Sequence, residues 1–307
     1  MVRNQLDLIQ WMDKKPTLTD CKRRRMQERE VYDMALKGEL DLSREDVLDI
    51  HYGSRGAGQF FTPDPAAELL AGLAEIQPHE TVLDPAAGLG NLMLPALKYT
   101  DKVKGIELLW DTAQLASHYL DLDITRADAL EAEWPECDVI LMNPPFGKFN
   151  GKPDWYPFKG QGKKEVAFLH LAMKRAKRRV VAIVPNSLLA NRNDIPIRKY
   201  LLEKHGVLAS ISLPPKTFWK SRREINKWKW PVTGTHTGIL VIDVERPPGD
   251  YNVFMCSPEN VDDLPEVLCH WHKHREKTQA TQKRRCLRHN RACLLIERDI
   301  QEHVRGI

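Results

Sequence analysis

Thr81-Val82-Leu83-Asp84-Pro85-Ala86-Ala87-Gly88-Leu89-Gly90-Asn91 decides the fold. A short apolar run ends in an acid, crosses a turn with two glycines and enters a stretch with helical periodicity. Gly88 and Gly90 lack a Cβ, so the chain can turn sharply there and approach a ligand closely. Taken alone, such a turn is also what any tight strand–helix connection needs. Outward from it the pattern repeats. Strands are predicted at 81–83, 103–107, 138–142, 180–184, 208–213, 238–244 and 251–255, and helices over 65–76, 91–97, 110–120, 165–176 and 187–202. Alternation at this spacing implies right-handed crossovers and an α/β fold with a mainly parallel sheet covered by helices on both faces. The last two strands leave no room for a helix between them, so one is expected to run antiparallel. In such sheets ligands sit beyond the carboxyl ends of the strands.

The acids fall at those ends. Glu107 closes the second strand, where a carboxylate can accept both ribose hydroxyls of an adenosine-containing cofactor. Asp128 lies at the expected end of a third strand, placed to accept from an adenine amino group. Each acid alone reads as a surface residue; in order, they make a nucleoside pocket. Asp84 would repel a pyrophosphate and welcome an ammonium or sulfonium.

A second stretch, Asp138-Val139-Ile140-Leu141-Met142-Asn143-Pro144-Pro145-Phe146, carries a buried strand into two prolines that cannot continue a ladder. The exit presents the Asn143 side chain and the Pro144 carbonyl as two acceptors, with an aromatic face at Phe146. That suits a planar amine: two acceptors hold its hydrogens while the ring stacks. The plainer alternative is a proline-rich strand exit with a core phenylalanine.

Asp84 to Gly90 followed by Asn143-Pro144-Pro145-Phe146 resembles the cofactor and catalytic motifs of S-adenosylmethionine-dependent amino-methyltransferases. Upstream, Gly58-Gln59-Phe60-Phe61-Thr62-Pro63 resembles the segment that precedes the cofactor domain in N6-adenine-specific DNA methyltransferases of the type I restriction-modification methylase subunit group. Lys163-Lys164-Glu165-Val166-Ala167-Phe168, the Val184-Pro185 strand ending and Leu213-Pro214-Pro215 before Phe218 also fit. The resemblance covers roughly 50–260. It implies a Rossmann-like methyltransferase fold with one antiparallel strand, S-adenosylmethionine as cofactor and transfer of its methyl group to the N6 amine of adenine in DNA. Gln59, Phe60, Phe61, Thr62 and Pro63 would lie over the methionine part, with backbone groups of Phe61 and Thr62 in contact. Asp84 with Ala86, Gly88 and Gly90 would hold the methionine moiety, Glu107 the ribose and Asp128 the adenine. Asn143, Pro144, Pro145 and Phe146 would hold a flipped target adenine. Ala87 and Leu89 depart from the commoner Cys and Ser of this turn, which implies altered affinity with binding retained. Rival readings are methylation of an RNA base or a protein glutamine, and a nucleic-acid-binding relative without turnover.

Charge is distributed to match a polyanionic partner. Residues 58–146 carry 4 Lys and Arg against 15 Asp and Glu, whereas 147–179 carry 10 against 2 and 215–230 carry 6 against 1. Solvated helix faces are the bland alternative. Directly after Phe146, the cations Lys148, Lys152, Lys159 and Lys163 alternate with Trp155 and Tyr156, the combination that phosphate neutralisation and base stacking require. A peripheral hairpin packing its own aromatics is the competing reading. Cys269, His272, Cys286 and His289 have spacing compatible with zinc, but nearby arginines would crowd a cation, and no metal is expected.

At 307 residues, 42% hydrophobic and 29% charged, the chain reads as globular, without the apolar runs of a membrane protein. Six scattered cysteines point to a reducing, cytoplasmic setting. The expected organisation is a helical extension over 1–57, a catalytic domain over 58–260 and a basic helical tail over 261–307. The family's large subunits carry a further N-terminal helical domain, and no stretch here is long enough for an independent target-recognition domain. A separate specificity subunit, or the basic loops themselves, would then read the DNA sequence.

Overall fold

Residue-by-residue alternation in the strands is what allows two cores. In β4 (Cys137–Met142), Val139 and Leu141 face one apolar cluster while Ile140 and Met142 face the other. In β5 (Ala176–Pro185), Val181 and Ile183 oppose Val180, Ala182 and Val184 in the same way. A sheet apolar on both faces must be covered on both. The computed structural model describes residues 15–54, 62–149, 153–159, 162–215, 217–218, 235–245 and 251–278. Its eight strands add β1 (Val82–Asp84), β2 (Val103–Glu107), β3 (Ile124–Arg126), β6 (Gly206–Ser212), β7 (Thr237–Asp243) and β8 (Phe254–Cys256) in the spatial order β3-β2-β1-β4-β5-β7-β6-β8. β7 runs antiparallel to both β5 and β6, and the other pairings are parallel.

Three N-terminal helices, α1 (Leu18–Arg23), α2 (Glu28–Leu36) and α3 (Arg44–Ser54), precede α4 (Asp64–Ala74), α5 (Met93–Ala96) and α6 (Trp110–Leu120). The chain then forms α7 (Lys164–Arg175), α8 (Asn186–Ala190), α9 (Ile195–Lys204) and α10, over 264–278. Helices α4 to α6, α10 and the N-terminal three share one core; α7 and α9 build the other. Tyr32 donates to Asp111 at 2.8 Å and Tyr119 to the Ala35 carbonyl at 3.0 Å, tying the N-terminal helices to α6. A Cβ at Gly72 would come within 2.6 Å of Leu268, so the glycine is what lets α10 cross α4 closely. Among the described residues, no helix is long and apolar enough to cross a membrane.

One expected helix is corrected. The helix expected over 187–202 is broken: α8 ends at Ala190, a 3-10 turn covers Arg192–Asp194, and α9 restarts at Ile195. Pro196 sits in the first turn of α9, where its missing N–H costs nothing, whereas mid-helix it would have left a carbonyl unpaired. Five of the ten cations of 147–179 form ion pairs among the described residues. Lys163, Arg175, Lys177, Arg178 and Arg179 are paired with Asp194, Glu133, Glu136, Glu80 and Glu75 respectively. Arg179 is buried. Arg178 and Arg179 thus brace the fold, whereas Lys148, Lys159 and Lys174 stay exposed.

Candidate active site

The carboxyl ends of β1, β2, β3 and β4 open onto one cleft of about 890 Å³. After β1 the chain turns through Gly88 at φ +55° and Gly90 at φ +79°, left-handed values that side chains resist. At Gly88 the space a Cβ would enter is empty, so its absence leaves the turn open to a ligand. At Gly90 a Cβ would meet Leu122 at 2.0 Å, so that glycine serves packing.

Glu107, at the end of β2, is buried and pins the turn: its two carboxylate oxygens accept from Gly88 N at 2.8 Å and Leu109 N at 2.9 Å. Asp84 is buried and accepts from Ala86 N at 3.0 Å. Burial pushes its carboxyl up to about 7; the Ala86 N–H opposes this and the Glu107 charge adds to it. Asp128, half-buried after β3, accepts from Leu130 N at 2.9 Å. Four acids, Glu131 among them, thus line one cleft, the deepest with another acid as its charged neighbour, which favours a cationic ligand.

Asp84 therefore sets a pH dependence. Its folded value of about 7 lies above the ordinary 3.8, so between about pH 4 and 7 the folded protein holds a proton that the unfolded chain has released. This contribution to stability falls by roughly 1.4 kcal/mol per pH unit through that window and is constant above it. Asp84→Asn is expected to gain on the wild type between pH 5 and pH 8, read by urea unfolding at both. An equal gap at the two values would show that Asp84 is ionised throughout.

Asn143 leaves β4 half-buried and donates through Nδ2 to Thr62 Oγ1 at 3.0 Å. Pro144 is buried, Pro145 exposed, Phe146 half-buried, and all three line the cleft. Pro63 caps α4, and Thr62 lines the cleft. Gln59, Phe60, Phe61 and Lys152 lie outside the described residues.

The loop after Phe146 divides by orientation. Tyr156 is buried, packed edge-on against Phe149 and Phe158 at centroid distances of 6.0 and 5.8 Å. Lys163 bonds to Asp194 at 2.6 Å. Trp155 is 39% exposed and lines the cleft; Lys148 and Lys159 are exposed. In the second cationic segment, 215, 217 and 218 are described and Phe218 lines the cleft; 216 and 219–230 lie outside the described residues. Cys269 and His272 are exposed on α10, while Cys286 and His289 lie outside the described residues; among the described residues no cluster of metal-binding side chains occurs.

Sequence reasoning missed three contributors. Asn91 is buried and donates to the Thr62 carbonyl at 3.1 Å. Glu165, buried in the first turn of α7, accepts from Gly147 N at 2.9 Å, and burial raises its carboxyl. It fixes the Gly147 exit at φ +113°, and only its place in the Lys163–Phe168 motif hinted at a role. The Thr62 hydroxyl is the third.

Residues 51–282 match the family described as N-6 DNA Methylase. The chain is 26% identical over 229 residues to the type I restriction enzyme StySPI methylase subunit of Salmonella potsdam, covering 59% of this chain and 43% of the relative. It is 29% identical over 240 residues to the MpnII methylase subunit of Mycoplasma pneumoniae, covering 64% and 42%. The chain thus spans less than half the length of these curated relatives. Among solved structures, a Listeria monocytogenes protein described as a class I S-adenosylmethionine-dependent methyltransferase shares the fold, with a TM-score of 0.58, 16% identity and 82% of each chain covered.

Proposed function

The chain belongs to the N-6 DNA methylase family, and from that premise we propose that it transfers a methyl group from S-adenosylmethionine to the N6 amine of adenine in DNA. One observation carries the reading: Asn143, Pro144 and Phe146 line the same cleft as Asp84, Glu107 and Asp128, so an amine site and a cation-favouring nucleoside site are contiguous.

Bound there, S-adenosylmethionine supplies a methyl group already activated by its sulfonium. The chain's own residues bind and orient. Asp84 and the Ala86–Gly90 turn receive the ammonium end, and the buried carboxyl with an acid as its charged neighbour fits a cation. Glu107 keeps lone pairs for ribose hydroxyls while its backbone bonds hold it in place. Asp128 would accept from the adenine amine. On the substrate side, Asn143 Oδ1 and the Pro144 carbonyl accept the two amino hydrogens, and Phe146 stacks on the extruded base. Extrusion costs a few kcal/mol, offset by those contacts. Alignment for in-line displacement is the main contribution asked of the protein.

In this reading 58–260 is the catalytic unit, flanked by the helical extension over 1–57 and the tail over 261–307. Target sequence readout falls to a separate specificity subunit. The test is to incubate the protein with methyl-labelled S-adenosylmethionine and a mixed DNA pool, digest, and identify the modified nucleoside. N6-methyladenine is expected. Label confined to RNA or protein would overturn the assignment, and no label at all would overturn DNA methylation by this chain unaided.

The divided loop gives a second test. Trp155→Ala is expected to weaken DNA binding by about 1–3 kcal/mol, the size of one stacking contact, at nearly unchanged stability. Tyr156→Ala should instead destabilise the fold by about 3 kcal/mol, as removal of a buried aromatic does. Fluorescence anisotropy with labelled DNA and urea unfolding separate the two, and wild-type affinity in Trp155→Ala would exclude it as a contact.

A further inference from the structure

We infer that Thr62 is a positioning residue that anchors the Asn143 amide where the substrate amine would meet it. The inference rests on the reading of Asn143 as the acceptor for the adenine amine. An amide has one accepting and one donating end, of nearly equal size. A target amino group needs the accepting end; the donating end would set N–H against N–H. Asn143 Nδ2 donates to Thr62 Oγ1 at 3.0 Å, which turns Oδ1 the other way. Asn143 is only half-buried, so no close-packed core fixes the amide in place, and the bond to Thr62 does.

Thr62 is in turn held firmly. It is 5% exposed, and its carbonyl accepts from Asn91 Nδ2 at 3.1 Å, at the end of the glycine turn. One residue therefore joins the strand exit carrying Asn143 to the turn that follows β1. The two attachments use different groups. The hydroxyl serves Asn143, and the backbone carbonyl serves Asn91, so a side-chain substitution can cut the first and leave the second.

Valine nearly matches threonine in shape but removes the oxygen. Thr62→Val leaves the Asn143 amide free to rotate, and kcat is expected to fall about 10- to 100-fold, the scale of a misplaced reacting group. The dissociation constant for S-adenosylmethionine, measured by calorimetry, should stay within about twofold, because the carbonyl bond to Asn91 persists. Thr62→Ser keeps an oxygen at the same place and should restore the greater part of the rate.

Initial methylation rates on unmodified DNA, with calorimetry in parallel, decide the matter. Undiminished kcat in Thr62→Val would overturn the assignment, as would a serine variant as slow as the valine one, or a loss confined to cofactor affinity. Should valine impair folding, thermal melts will reveal it and the serine comparison decides. A wild-type protein that leaves DNA unlabelled would remove the reading of Asn143 itself, whereas an active wild type with an equally active valine variant removes the role of Thr62 alone.

Discussion

Asn143→Ala is expected to lower the rate of methyl transfer about 10²–10³-fold, the usual cost of deleting one preorganised polar group that faces the reacting atoms. Two acceptors converge on the amine in the proposed arrangement, and alanine removes the side-chain one. The Pro144 carbonyl remains, because the double proline still fixes the exit from β4. Cofactor affinity should be unaffected: Asp84, Glu107 and Asp128 sit on other strands, each held by its own backbone bonds. The effect should therefore fall on the single-turnover rate. Stability should hardly change, since Asn143 is half-buried and its recorded partner is one hydroxyl. A variant that turns over within tenfold of the wild type would place the amine acceptor elsewhere.

The largest expected effect on stability comes from Arg179. Its side chain is 3% exposed and bonds to Asp243 at 2.7 Å, Glu75 at 2.6 Å and the Ala74 carbonyl at 3.2 Å. Glu75 ends α4 in a left-handed conformation at φ +51°, and Arg275 of α10 approaches it from the other side at 3.4 Å. One guanidinium thus fastens the end of α4 to β5 and β7. Arg179→Ala is expected to cost about 3–5 kcal/mol, because it strands the Asp243 carboxylate and leaves Glu75 with Arg275 alone. Urea unfolding measures it. Combining Arg179→Met with Asp243→Asn should recover part of the loss, since Glu75 then keeps Arg275 as its partner and no acid is left alone. A cost below about 1 kcal/mol for the alanine variant would mean that water reaches both acids.

Much of this was legible in the chain. Apolar runs separated by helical patterns give β2 and α6 at their observed bounds, and the acid-then-glycines pattern after β1 marks the cleft. What sequence could not show is contact across distance. Thr62 and Asn143 are 81 positions apart, and nothing local to either residue signals the bond between them. Nor does spacing separate Trp155 from Tyr156. The two are adjacent in a basic, aromatic loop, and only three-dimensional packing turns one inward against Phe149 and Phe158. Likewise Arg178 and Arg179 read as surface charge until Glu80, Glu75 and Asp243 are seen beside them. The broken helix at 187–202 fell to Pro196, whose effect depends on its position in the turn.

The position of β7 bears on how the chain comes to be assembled during synthesis. β5 and β6 are made before it, yet β7 lies between them and pairs with both. A nascent chain that has emerged only as far as residue 236 therefore holds two apolar strands that lack their shared neighbour. Direct pairing of β5 with β6 at that stage would close the gap that β7 must fill. For the observed order to form, that gap has to be open when 237–243 arrive, and until then the facing edges of β5 and β6 lack the strand that covers them both.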